Sequence, residues 1–111
     1  MTPVEFRREL HRHPELSFCE ERTARFISDA LTAAGIEHRP IAGTGILARI
    51  EGNGDLRKAV VLRADIDALP IQEAGDVEWR SENDGVMHAC GHDIHAAVLY
   101  GVLLELAAKR D

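Results

Sequence analysis

Lys58-Ala59-Val60-Val61-Leu62-Arg63-Ala64-Asp65-Ile66-Asp67-Ala68-Leu69-Pro70 is the stretch that decides the fold class. Ala59 to Leu62 is apolar at every position, without the alternation of a half-exposed strand. Such a run predicts a central strand covered on both faces, as in α/β proteins. It closes on Asp65-Ile66-Asp67, and Pro70 marks its end. In sheets of this class the carboxyl ends of strands host ligands. Residues i and i+2 share a face, so Asp65 and Asp67 both qualify for one pocket. They would serve there as metal donors or as partners that orient a ligating histidine. The plainer reading is a solvated strand end with Arg63 as ion-pair partner. Asp67 is the better placed of the two, because Pro70 lies just beyond it.

Working outward, Ile46, Ala48 and Ile50 alternate with Leu47, Arg49 and Glu51 and predict a second strand. Gly43-Thr44-Gly45 before it reads as a flexible joint. Gly52-Asn53-Gly54-Asp55 after it reads as the turn of a hairpin to the 59–62 run. Two helices precede these strands. Thr2-Pro3-Val4-Glu5 has the capping-box spacing with proline at the first helical position, and Pro14 ends that helix near Arg12. Ser17-Phe18-Cys19-Glu20 repeats the S-x-x-E spacing. Phe26, Ile27, Ala30, Leu31 and Ala34 then form one apolar face, with Gly35 placed for a left-handed cap. Glu20 and Glu21 read as first-turn acids of this helix. Downstream, residues 71–87 read as a loop holding Trp79. A last helix is expected from about Gly91 to Ala108, with an apolar stripe on Ile94, Ala97, Val98, Gly101 and Val102. The order is α-α-β-β-α, which predicts a three-layer α/β unit.

With 111 residues, one compact domain with a small core is expected. Thirteen Lys and Arg against 19 Asp and Glu give a net charge of −6, which argues against a nucleic-acid binder that tracks phosphates. Aromatic residues are 5% of the chain, so the expected core is aliphatic. No stretch approaches the roughly 18 apolar residues of a membrane helix. Met1 to Leu10 is charge-rich, without the apolar core of a secretory signal. Cys19 and Cys90 lie far apart with no framework spacing. A reduced, cytoplasmic setting is expected.

The densest chemistry is Met87-His88-Ala89-Cys90-Gly91-His92-Asp93-Ile94-His95, at a loop-to-helix junction. Cys90 and His92 are two apart, so they converge on one ion only if the backbone turns between them, and Gly91 permits that turn. Thiolate plus imidazole suits Zn²⁺ or another late first-row divalent ion. The plainer reading is a helix entry with a buried structural cysteine and solvent-exposed histidines. His88 and His95 stay nearer to it. Asp93 fits equally as a dipole-complementing residue or as the partner orienting His92. A Cys90 nucleophile is the competing chemistry, since a helix N-terminus activates a thiol. His11-Arg12-His13-Pro14-Glu15 reads as a cationic helix end rather than a ligand set.

Four segments together resemble one family. They are Arg7 to Phe18, Thr44 to Ile50, Leu62 to Ile71 and Met87 to Asp93. In this order they are similar to the N-terminal part of the M20 metallopeptidase family, in its aminoacylase/hippurate hydrolase (N-acyl-amino-acid amidohydrolase) branch. The resemblance implies an incomplete three-layer α/β metallopeptidase catalytic domain, with residues 1–111 as its N-terminal segment and the lid or dimerisation domain absent. It implies a site with two divalent ions (Zn, Mn, Co or Ni) that hydrolyses a small N-acyl amino acid or related amide through a metal-activated water. Cys90 and His92 match the family's first metal ligands, and Asp67 matches a supporting aspartate at the strand end. The base glutamate and the remaining ligands lie beyond Asp111 in family members, so no general base is assigned here. The full-length form is compatible with a homodimer, and neither nucleic acid nor membrane is expected as a partner. The alternative is an inactive stand-alone fragment with at most weak metal binding.

Overall fold

The computed structural model describes residues 1–109. Its elements run α1 (Pro3–Arg12), α2 (Glu21–Ala33), β1 (Glu37–Ile41), β2 (Gly45–Arg49) and α3 (His92–Ala108). The chain is an α/β protein in the expected α-α-β-β-α order.

α1 begins as its sequence requires. The Glu5 amide donates to Thr2 Oγ1, and the Thr2 amide donates to the Glu5 carboxylate, completing the capping box. α2 departs from expectation at its start. Glu20 occupies the N-cap without a side-chain bond to the helix, its carboxylate accepting from Thr44 Oγ1 instead, and the Ser17–Glu20 box does not form. The cap comes from outside the helix. The Glu15 carboxylate accepts from the Arg22 amide at 3.2 Å, the Thr23 amide at 2.6 Å and Thr23 Oγ1 at 2.7 Å. An acid can do this because the turn after Pro14 brings Glu15 back over the helix mouth. α2 ends as read: Gly35 takes φ +71°, its amide donates to Thr32 O, and the Ile36 amide donates to Leu31 O. Those are the two bonds of a Schellman cap.

The sheet corrects the sequence reading. β2 lies where a strand was expected, but its antiparallel partner is β1, with Glu37 opposite Arg49 and Ile41 opposite Gly45. The hairpin turn is Ala42-Gly43-Thr44, not residues 52–55, with Ala42 at φ +52° and Gly43 at φ +84°. β1 is polar and contains Pro40, which a two-stranded edge position tolerates and periodicity does not reveal. The 59–62 run forms no strand. Residues 50–67 contain neither helix nor strand, and Val60 and Val61 are 89% and 83% exposed. A strand exists through ladder bonds to a neighbour, and no described residue lies alongside this run as a ladder partner.

The core gathers Phe6 and Leu10 of α1, Ala30 and Leu31 of α2, Ile36, and Ala96, Ala97 and Tyr100 of α3. It is not purely aliphatic. Phe6 stacks on Tyr100 with centroids 4.3 Å apart and tilts against Phe26 at 5.1 Å. α3 is apolar around most of its circumference, so spacing alone did not select its inner face. α1 packs on the Asp93, Ala96, Ala97 and Tyr100 side, leaving Ile94 and Val98 exposed. Gly101 permits the approach: a Cβ there would stand 3.2 Å from Pro3 Cγ.

Candidate metal centre

Three of the four sequence segments that carry the resemblance, Arg7 to Phe18, Leu62 to Ile71 and Met87 to Asp93, meet at the start of α3. The stitching is backbone. Ala68 N–H donates to Glu15 O at 2.8 Å, and Leu69 and Met87 exchange N–H···O bonds at 2.9 and 3.0 Å. These bridges set Leu16 beside Ala68 and Leu69 beside Met87. Asp67 and His92 are thereby neighbours although they lie 25 positions apart.

Gly91 caps α3 at φ +91°, the left-handed turn that the Cys90-Gly91-His92 spacing requires. His92 Nδ1 lies 2.8 Å from Asp67 Oδ1 and 3.0 Å from Asp67 O. Both oxygens only accept, so Nδ1 carries the proton and Nε2 presents its lone pair. Asp67, not Asp93, is therefore the residue that orients His92. Asp65 instead takes the plain role foreseen for it: Arg63 Nη2 donates to Asp65 Oδ1 at 2.7 Å and holds that carboxyl below its ordinary range. Cys90 is exposed with a free thiol. Among the described residues no histidine hydrogen-bonds to it, which removes the pairing a cysteine nucleophile would need. The His95 ring lies 6.1 Å from that of His92, and its residue is exposed.

The plainer reading of the cluster, a buried cysteine among exposed histidines, is not what the structure shows. Cys90 faces out, whereas His88 is only 4% exposed and neither ring nitrogen has a protein partner. Burial pushes its imidazole below the ordinary value, toward the neutral form, against the pull of nearby Asp93.

Asp93 belongs to a second, buried polar group that sequence reading did not find. Asp93 Oδ2 accepts from Arg7 Nε at 2.8 Å and lies 2.9 Å from His11 Nδ1. His11 Nε2 lies 3.0 and 3.1 Å from the two oxygens of Glu73. Glu73 also accepts from the Ser81 amide at 2.7 Å, and Arg80 donates to its carbonyl. Asp93, His11 and Glu73 are 1%, 3% and 5% exposed. His11 had been read as a cationic helix end. Glu73 sits in an aperiodic stretch that gives no signal of burial.

Among the described residues no group of three or more His, Cys, Asp and Glu side chains is arranged to hold a metal. Cys90 and His92 thus offer two donors of suitable chemistry, fewer than the three or four of a typical zinc site. No helix among the described residues is long and apolar enough to cross a membrane.

Comparison with known proteins points to one family. The profile of peptidase family M20/M25/M40 matches residues 61–111. An N-acyl-L-amino acid amidohydrolase of Geobacillus stearothermophilus is 48% identical over 109 residues, covering 97% of this chain and 29% of the relative. Thermostable carboxypeptidase 2 of Saccharolobus solfataricus is 44% identical over 110 residues, covering 97% and 28%. The crystal structure of Bacillus subtilis YXEP protein, described as a dinuclear metal-binding peptidase of the M20 family, superposes with a TM-score of 0.92 at 44% identity. That match covers 97% of this chain and 31% of the other. The chain thus spans less than a third of the length of these relatives.

Proposed function

Because the chain belongs to peptidase family M20/M25/M40, we propose that it supplies the first two ligands of a dinuclear hydrolase centre. That centre cleaves a small N-acyl amino acid or related amide. The observation that carries this reading is the His92–Asp67 contact of 2.8 Å, beside an exposed Cys90 on a left-handed glycine turn. Cys90 Sγ and His92 Nε2 would hold a divalent ion, with Zn, Mn, Co and Ni the candidates by ligand chemistry. When bound, such ions acidify water and polarise the amide carbonyl. Asp67 keeps the His92 proton on Nδ1 and fixes the ring plane. Gly91 lets the two donors fall on one side of the turn. The general base and remaining ligands would come from residues outside positions 1–111, in the full-length protein, which would also carry the lid or dimerisation domain and act in the cytoplasm.

The second reading, a chain that binds metal weakly and does not turn over, is favoured by the absence of a three-donor group among the described residues. Cobalt titration and hydrolysis assays separate the two. Wild-type chain should develop a cobalt–thiolate absorption that Cys90→Ala and His92→Ala both abolish. Asp67→Asn should fold and bind about tenfold to a hundredfold more weakly. Unchanged stoichiometry in either alanine variant would refute the ligand assignment. Metal-dependent hydrolysis of N-acyl amino acids by residues 1–111 alone, at the rate of a longer relative, would refute the need for outside residues.

A further inference from the structure

The chain Arg7–Asp93–His11–Glu73 joins α1, the loop after Pro70 and the first turn of α3, and the proposed ligands do not include any of its members. Its hydrogen-bond logic is restrictive. His11 places Nδ1 against Asp93 and Nε2 against Glu73, with all three residues buried. Each ring nitrogen faces a carboxylate, so the ring cannot turn without losing a partner on one side. Arg7 donates to Asp93 at one end, and Arg80 donates to the Glu73 carbonyl at the other. The geometry fixes the ring from both sides, as a strut between two elements. One end of that strut is Asp93, the residue that follows His92.

We propose that His11 is a positioning residue for the proposed metal centre. Clamped between Asp93 and Glu73, it anchors the first turn of α3 to α1 and thereby sets where the Cys90-Gly91-His92 turn holds its donors. This rests on the reading of Cys90 and His92 as ligands. Leu10 and Phe6 anchor α1 into the core on the same side, so the strut transmits the position of a packed helix rather than of a loop. Asp67 orients the His92 ring, whereas His11 orients the backbone that carries it.

The test uses the whole chain in its wild-type, His11→Gln, Glu73→Gln and His13→Gln forms. His13 is the neighbouring histidine on α1, and its partners are Glu9 and Glu82, outside the clamp. Two measurements are made. The first is metal-free amide exchange at Ile94 and His95, whose N–H groups bond to Gly91 O at 3.1 and 3.0 Å, with Ile36 in the α2 cap as reference. The second is cobalt affinity read from the thiolate absorption. In His11→Gln and Glu73→Gln, exchange at Ile94 and His95 should rise about tenfold relative to Ile36, and cobalt affinity should fall about tenfold, as for loss of an outer ligand support. His13→Gln should match wild type in both.

Uniform acceleration at all three amides in both clamp variants would overturn the proposal, since His11 would then support only the global fold. Unchanged exchange at Ile94 and His95 in folded clamp variants would overturn it too, as would equal effects in His13→Gln. If one clamp variant fails to fold, the other decides. If wild-type chain binds no cobalt, the ligand reading fails, and exchange alone decides whether His11 positions the turn.

Discussion

Glu73 shows what a single side chain contributes when it is buried among donors. Burial pushes its carboxyl up, but the Ser81 amide, the hydrogen bond and charge of His11, and Arg80 outweigh that and hold it below its ordinary value of about 4.5. A carboxyl lowered in the folded state adds stability above its unfolded value, and this is lost as pH falls through the folded value. The protein should therefore lose stability below about pH 4.5. Glu73→Gln should be less stable near neutrality yet show a flatter acid limb in urea midpoints. Parallel wild-type and variant curves would contradict this. At this scale the sequence was legible where chemistry and chain direction coincide. Asp67 at the end of its run does orient the ligand candidate His92. It was not legible at the loop-to-helix junction, which has no period to say which side chain turns inward. His88 turns inward and Cys90 outward there, and Asp93 turns to Arg7 and His11.

Among the elements, helices were the best read, because their signals are local. The Thr2–Glu5 box and the Gly35 cap need only neighbouring residues. The start of α2 fails that condition, since its cap is Glu15, eight positions before Thr23. Glu15→Ala should destabilise the protein by about 1 to 2 kcal/mol through loss of an N-terminal cap. Ser17→Ala should leave stability within about 0.5 kcal/mol, as for a surface change. Urea unfolding of the two variants checks the pair, and equal losses would contradict the cap assignment. Strands were read less well for the same reason. A strand is made by its partner, and neither Pro40 in β1 nor the lack of a ladder partner for residues 59–62 among the described residues is written in the local pattern.

The whole molecule carries the consequence of that missing ladder. Val60, Val61 and Leu62 lie exposed outside any helix or strand, and Ile94 and Val98 are exposed on α3. Uncovered apolar chain of this kind favours self-association. Val61→Lys should lower the concentration-dependent association seen by light scattering. It should leave the thermal midpoint nearly unchanged, because Val61 has few contacts to lose. A large drop in that midpoint would place Val61 in the core instead. Topology imposes a further consequence on the clamp. Arg7 and His11 are separated from Asp93 by 86 and 82 positions. During synthesis at roughly 5 to 20 residues per second, α1 is therefore made about 4 to 17 s before its partner on α3. Over that interval Arg7 and His11 have no Asp93 to face, so the donor turn next to Asp93 is locked to α1 only once the chain has grown past it.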